Sequence, residues 1–475
     1  MAPMTIVTGD GSKTQVKEES VDQLKAQLRG ALLRPGDAGY DVARTIWNAM
    51  IDRRPALIAR CLGAADVMRA VAFARDHGLL LAVRGGGHNI AGNAVCEGGF
   101  MIDLSPMRSV RVDPKARRAH VEPGATLGDF DKEAQAFGLA TPLGINSTTG
   151  VAGLTLGGGF GWLTRKHGLT VDNLVSADVV TADAKLVHAD EKENADLFWA
   201  IRGGGGNFGI VTSFEFQLHP VGPEVFAGLV VYPYDQAKQV LTQYRQFAGQ
   251  MPEDLCIWGV LRKAPPLPFV SPEFHGKEIV ALALIYIGEV SKGRATIDPV
   301  LGFGKVVGQH VGPVPYTAWQ QVLDPLLTPG ARNYWKTNNF SDLNDGAIDA
   351  IVQAASKLPS PHCEIPIAFI GGQANRVASN ATAYAHRDAR FVMNVHGRWE
   401  TPQEDAQGIV WARELFRATA PYATGGAYVN FMTEDEQDRV KVAAYGPNYD
   451  RLVQLKKKYD PANLFRMNQN IKPKS

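Results

Sequence analysis

The residues with the greatest chemical potential lie in one run: Val83, Arg84, Gly85, Gly86, Gly87, His88, Asn89, Ile90, Ala91 and Gly92. Three consecutive glycines let the backbone turn sharply and approach a ligand, because no Cβ intervenes. Successive backbone N–H groups in such a turn form a concave anion site. Arg84 adds a permanent cation with a planar donor fork. His88 follows where a ligand must pass. The run reads as a cradle for a pyrophosphate, with His88 meeting the ring of a cofactor. A bare tight bend is the alternative.

The flanks decide which kind of cradle it is. Residues 64–77 read as a helix, with Val67, Ala70, Val71 and Ala74 on one face. Residues 79–83 form a short apolar strand, and residues 100–104 an extended piece after the glycines. A Rossmann turn needs a strand before and a helix directly after; here an extended segment follows.

Two further glycine clusters support a ligand. Residues 150–161 hold six glycines in twelve positions, preceded by Ser147, Thr148 and Thr149 as small donors. That density opposes both a good helix and a good strand. It reads as a backbone wall against a flat ring, or as a packed crossover of loops. Arg202, Gly203, Gly204, Gly205, Gly206, Asn207, Phe208 and Gly209 form the third cluster, just before a strand. Three such loops suit an extended dinucleotide better than a single phosphate.

The elements that must hold these loops follow from patterning. The chain has 475 residues and a net charge of +1, enough for two domains or more. No long run of one sign points to nucleic acid or a membrane surface, and no apolar run is long enough to span a bilayer. No signal-peptide pattern is read at the start. Cys61, Cys96, Cys256 and Cys363 show no metal spacing and are too few for a disulfide framework. His362 and His386 have no second ligand nearby, so no metal is expected. A cytoplasmic, reduced protein is the expectation. Residues 1–53 read as a helical lead-in, and residues 54–222 alternate short strands with short helices. After Pro220 glycine thins out, and residues 223–425 alternate apolar runs with amphipathic helices, the pattern of an α+β domain with an antiparallel sheet. Residues 426–475 form a polar tail expected to pack back onto an earlier domain.

Taken together these residues resemble the berberine-bridge-enzyme-like branch of the vanillyl-alcohol oxidase flavoprotein family. The resemblance rests on residues 84–92, 102–105, 150–161, 168–173, 196–204 and 459–470, in the family's order. It covers about half the chain; the middle block, which determines substrate, matches loosely. It implies an α+β fold: a PCMH-type FAD-binding domain of two α+β subdomains, a substrate domain with an antiparallel sheet roofing the flavin, and a C-terminal segment returning to the FAD site.

The resemblance also assigns residues. It implies FAD attached covalently through His88, with Arg84, Gly85, Gly86, Gly87, His88, Asn89 and Gly92 at the pyrophosphate side. Asn146, Ser147, Thr148, Thr149, Gly150, Gly153 and Gly158 would line the flavin, continued by Ile210 and Val211. Asn468 and Gln469 would reach it from the tail. Many relatives carry a second link through a cysteine at the position of Asn146, so a single attachment is implied here. Thr149 sits where a small residue is similar to that of oxidases.

Hydride transfer from carbon to flavin is easy only if a neighbouring O–H or N–H loses its proton in concert. Tyr428 and Asn430 resemble the family's Tyr-x-Asn motif, implying Tyr428 as base and Asn430 as its orienter; a core tyrosine at a strand start is the alternative. The aspartate that sugar-oxidising relatives carry before a Gly-Gly is absent before Gly371, where residues 367–370 are apolar. Trp335, Lys336, His396 and Arg398 read as structural or solvent-facing. The implied activity is an oxidase of a small organic alcohol, amine or hydroxylated natural product, with molecular oxygen as acceptor and H₂O₂ as product. A dehydrogenase with another acceptor, and a flavin-binding protein without turnover, remain open.

Overall fold

A computed structural model describes residues 3–473. Three sheets carry the architecture. The first has four strands in the order Ala31–Leu33, Leu57–Arg60, Phe100–Asp103 and Leu81–Arg84. Its inner pairs are parallel, joined through the crossover helix Ala64–Asp76. That helix buries Val67, Ala70, Val71 and Ala74, the face read from the sequence. The second sheet is antiparallel, with Leu186–Ala189, Leu174–Val180, Ile210–Gln217, Arg118–Val121 and Val110–Asp113 in that order.

The third sheet has seven antiparallel strands: Gly308–Pro315, Glu224–Pro233, Glu278–Tyr286, Leu255–Lys263, Glu364–Phe369, Phe391–Trp399 and Arg332–Phe340. Successive side chains on a strand point to opposite faces, and the sequence uses both. On one face Leu255, Ile257, Leu261, Ile365, Ile367, Met393 and Val395 pack with the helices Ala237–Ala248, Asp345–Ala355 and Asp405–Thr419. On the other face Cys256, Trp258, Ala368 and Val392 join Phe160, Trp162 and Tyr428 in a separate cluster. The expected antiparallel sheet is therefore present, with its three long helices on one side, while its other side carries the short helix Tyr316–Gln320 and roofs the glycine loops.

Two local readings change. Among the described residues, 3–53 are not mainly helical. Met4–Val7 and Lys13–Val16 form a hairpin, and Ala31–Leu33 pairs with Leu57–Arg60 as an edge strand. Helix Glu18–Gln27 is the longer of the two helices there, the other being Tyr40–Arg44. The backbone passes so close at Gly30 that a Cβ there would lie 1.7 Å from the Arg60 carbonyl oxygen, and this contact brings the segment into the sheet. The second glycine cluster does contain a helix, Val151–Leu156, bounded by Gly150 and Gly157. It stops where Gly158 and Gly159 adopt positive φ, a region open mainly to glycine.

The tail returns as expected. Helix Tyr449–Tyr459 buries Leu452, Val453 and Leu455 in a cluster shared with Phe198 and Trp199. Beyond it the chain is pinned by a buried ion pair. Lys456 Nζ donates to Asp460 at 2.6 Å, to the Asn207 carbonyl at 2.7 Å and to the Phe465 carbonyl at 3.1 Å. All three ammonium donors are thus used, which is what makes a fully buried lysine tolerable.

Candidate active site

The three sheets and the tail enclose a cavity of about 310 Å³. Glycines of all three sequence clusters wall it: Gly85, Gly86 and Gly87, then Gly150 and Gly153, then Gly205, Gly206 and Gly209. Glycine is required where two of these loops touch. A Cβ on Gly86 would lie 2.5 Å from both Cα and N of Gly150, and the reverse contact is equally close. A Cβ on Gly153 would meet nothing within 4 Å, since that residue faces open space.

His88 stands on this wall. Its ring stacks on Trp47, with centroids 5.1 Å apart and planes 20° apart. The guanidinium of Arg398 lies 5.3 Å from the Trp47 ring. Nε2 of His88 is 3.1 Å from Thr148 Oγ1, and Thr148 Oγ1 donates to Asn146 Oδ1 at 2.8 Å. Burial pushes the imidazole pKa down to about 4, with a hydrogen bond to the Thr148 backbone opposing and Arg84 adding to the shift. The ring is therefore neutral at physiological pH, with a lone pair on one nitrogen available as nucleophile or acceptor.

Tyr428 and Asn430 lie across the same cavity. Tyr428 does not start a strand; it precedes the short turn Val429–Phe431. Its phenol oxygen accepts from Asn430 Nδ2 at 2.9 Å and from the Gly159 amide at 3.2 Å. Burial pushes its pKa up to about 12, more than these two bonds lower it. The phenol stays protonated at neutral pH, and both donors are poised to stabilise a developing phenolate.

Of the other residues singled out in the sequence, Gly85, Gly86, Gly87, Asn89, Asn146, Thr149, Gly150, Gly153, Ile210, Val211 and Asn468 line the cavity. Arg84, Gly92, Ser147, Thr148, Gly158 and Gln469 do not form its wall. Arg84 turns away and donates to the Ala43 carbonyl. Ser147 is taken by the Asp324 carboxylate, through its amide at 2.9 Å and its hydroxyl. Gln469 is buried and bonds the Met432 carbonyl at 3.1 Å and the Gln437 side chain at 3.0 Å. Gly92 and Gly158 shape the loops with positive φ. None of the four cysteines lines the cavity; all are buried and free.

Sequence reasoning missed part of the site. Trp47 comes from the first 53 residues and enters the wall beside His88. Trp335 and His396, read as structural, both line the cavity, whereas Lys336 points the other way to Asp435 and Glu436. Glu364 was not singled out from the sequence. Its carboxylate bonds Arg262 at 2.7 Å and His396 at 3.1 Å. Burial alone would raise Glu364, but Arg262 and His396 outweigh it and hold the carboxyl at about 2. The signal was the alternation of the strands: Glu364, Pro366 and Ala368 share one face, as do Val392, Asn394 and His396, and all six reach the cavity.

Comparison with known proteins identifies the cofactor. Residues 55–190 match the family model described as "FAD binding domain", and residues 427–472 match "Berberine and berberine like". An FAD-linked oxidoreductase of Dictyostelium discoideum is 33% identical over 459 residues, 95% of this chain and 97% of its own length. The crystal structure of 6-hydroxy-D-nicotine oxidase from Arthrobacter nicotinovorans superposes with a TM-score of 0.83 at 31% identity, covering 94% of this chain and 98% of that one. Glucooligosaccharide oxidase from Acremonium strictum, whose FAD is described as 6-S-cysteinyl, 8α-N1-histidyl, superposes with a TM-score of 0.84 at 25% identity, covering 96% of this chain and 100% of that one. The chain belongs to the berberine-bridge-enzyme-like family and is an FAD-linked oxidoreductase.

Proposed function

We propose that this protein is an oxidase that holds FAD through a single covalent bond at His88 and oxidises a small organic alcohol, amine or hydroxylated natural product. The observation that carries the reading is that His88 and Tyr428 open onto one glycine-walled cavity. The residues present fit the cofactor. Gly153 presents bare backbone to open space on the cavity wall, and the loops of Gly86 and Gly150 can close together there only because neither carries a side chain. When bound, FAD supplies the two-electron acceptor and delivers the electrons to dioxygen, giving H₂O₂.

The chain's own residues do the rest. His88, neutral and stacked, is the attachment point. Asn146 stands where a cysteine would be needed for a second link, so attachment is single. Trp258, Trp335, Phe160 and Phe431 box the substrate in an apolar surround, with Glu364, Asn394 and His396 as the polar groups that orient it. Tyr428 takes the substrate proton as the hydride leaves, with Asn430 and the Gly159 amide receiving the growing negative charge. The enclosed aromatic surround favours a compact substrate over an oligosaccharide.

Acid precipitation of the purified protein tests the covalent bond. Yellow colour is expected in the wild-type pellet and in the supernatant of a His88→Ala variant; free flavin from the wild type overturns covalency. Anaerobic bleaching by a panel of alcohols and amines, followed by admission of air, tests the oxidase. Slow reoxidation in air would assign a dehydrogenase instead.

A further inference from the structure

We infer that Asn394 and the indole N–H of Trp335 form the subsite that reads the substrate, and that the group they read is uncharged, an amide or a hydroxyl rather than an ammonium or a carboxylate. The inference rests on the reading above that substrate binds in this cavity. The charged groups of its wall are already committed. Among the described residues, Glu364 is the single Asp, Glu, Lys or Arg that lines it. Its carboxylate accepts from Arg262 at 2.7 Å and meets His396 Nδ1 at 3.1 Å. The other His396 nitrogen lies 3.3 Å from Asn333 Oδ1. The register builds this row into the sheet, with Arg262 opposite Glu364 and Glu364 opposite His396. An entering ammonium has to compete with Arg262 and His396 for Glu364. An entering carboxylate is set beside Glu364 with no free cation on the wall. Both are costly, because a charge taken from water into an apolar surround needs a partner of its own.

The uncommitted groups are neutral. Asn394 lines the cavity, is 6% exposed, and its Oδ1 is buried without a hydrogen-bond partner. Trp335 lines the cavity from the adjacent strand, and its Nε1 is also buried without a partner. On the strand at the other side of Asn394, Pro366 and Ala368 face the cavity and offer no polar side chain. An asparagine amide supplies both donors and an acceptor, and an indole supplies a donor only. A polar group buried without a partner is costly. A substrate group that presents an acceptor to Trp335 and a donor to Asn394 removes both costs at once. An amide or a hydroxyl has both functions, and neither ion has.

The same wall joins this subsite to the reacting end. The Trp335 ring meets Phe431 edge to face at 5.4 Å, and Phe431 meets Tyr428 edge to face at 4.8 Å. Aromatic edges and faces therefore run without a break from the reading group to the phenol. A compact substrate is held at two points, its neutral polar substituent by Asn394 and Trp335 and its reacting end by Tyr428. Glu364 and His396 contribute by keeping the roof in register, and the hydrogen bonds still free to be made belong to Asn394 and Trp335.

The experiment titrates the purified FAD-loaded protein with benzamide, benzoate and benzamidinium, which share one ring and one planar shape and differ in charge. The shift of the flavin absorbance reports binding. Wild type, Asn394→Leu and Asn394→Asp are compared, with FAD content per chain recorded for each. Benzamide is expected to bind wild type about tenfold more tightly than either ion. Asn394→Leu should weaken benzamide about tenfold, the worth of one hydrogen bond. Asn394→Asp should move the preference to benzamidinium, which a merely structural asparagine would not do. A wild type that prefers either ion, or that does not bind benzamide, overturns the inference. So does Asn394→Leu with wild-type affinity for benzamide, or Asn394→Asp with the wild-type ranking. If a variant loses FAD, the wild-type ranking decides. The ranking needs no turnover. A wild type that ranks the probes as expected, but whose flavin no alcohol or amine reduces, overturns the oxidase reading alone; a working oxidase that prefers an ion overturns the subsite alone.

Discussion

Replacing Asp131 by asparagine should stabilise the protein, and increasingly so as pH rises. Asp131 lies in helix Leu127–Gln135 and is 3% exposed. Gln320 Nε2, from the substrate-side helix Tyr316–Gln320, donates to its carboxyl at 2.9 Å. Burial pushes the Asp131 pKa up from 3.8 to about 7, against a smaller lowering by Gln320. The folded chain therefore binds more protons than the unfolded chain between those two values. Stability falls as pH rises through that window and is lowest above it. A shift of this size is worth about 4 kcal/mol across the whole window, and about 3 kcal/mol between pH ~5 and pH ~8. Asparagine is neutral throughout and keeps an oxygen for Gln320. Its new N–H₂ has acceptors within this seam, since Gln320 Oε1 and the Tyr316 hydroxyl are buried without partners. Thermal unfolding of both proteins across this pH range checks the argument. The melting temperature of the wild type should drop away from that of Asp131→Asn as pH rises, and the two should converge at the acid end. Parallel curves would show that Asp131 does not titrate as a buried carboxyl, and the reasoning would fail.

Three further outcomes are expected. Gly86→Ala places a Cβ 2.5 Å from the Gly150 backbone, so it should cost about 1–3 kcal/mol by overpacking and reduce FAD content, read from the flavin absorbance per chain. Lys456→Met leaves the buried Asp460 carboxylate without its cation, so a loss of about 3–5 kcal/mol is expected, measured by denaturant unfolding; an unchanged midpoint would refute the pinning role. Tyr428→Phe should retain FAD but slow substrate-driven flavin reduction by roughly 10²–10⁴-fold; stopped-flow reduction at the wild-type rate would remove Tyr428 from the proton transfer.

Much of the framework was legible because it rests on local rules. The helical face of Val67, Ala70, Val71 and Ala74 is buried as its spacing requires. The change of composition after Pro220 corresponds to the seven-stranded sheet, whose first strand begins at Glu224. The glycine clusters converge where backbone meets backbone, and one such contact, Gly86 with Gly150, joins two of them. Arg84 has a structural use that its sequence context does not announce. A cation beside a glycine turn reads as a phosphate ligand, but a guanidinium is also a good partner for a buried carbonyl, and here it caps the end of helix Tyr40–Arg44 at Ala43.

The substrate side was hard to read because its residues are spread across strands far apart in sequence. Glu364, His396 and Trp335 meet only through the register of three neighbouring strands, in which Glu364 pairs with His396 and His396 with Trp335. No local spacing encodes that row. Trp47 is a similar case. Its position is set by its own amide bonding the Gly87 carbonyl at 3.1 Å and by Asn48, whose side chain bridges the Ile90 and Asn333 carbonyls at 3.2 and 2.9 Å. One short segment from the first 53 residues therefore ties the histidine loop to the substrate sheet. Because Asn48 bonds both the histidine loop and the substrate sheet, substituting it should disturb cofactor and substrate binding together, although the residue lines neither end.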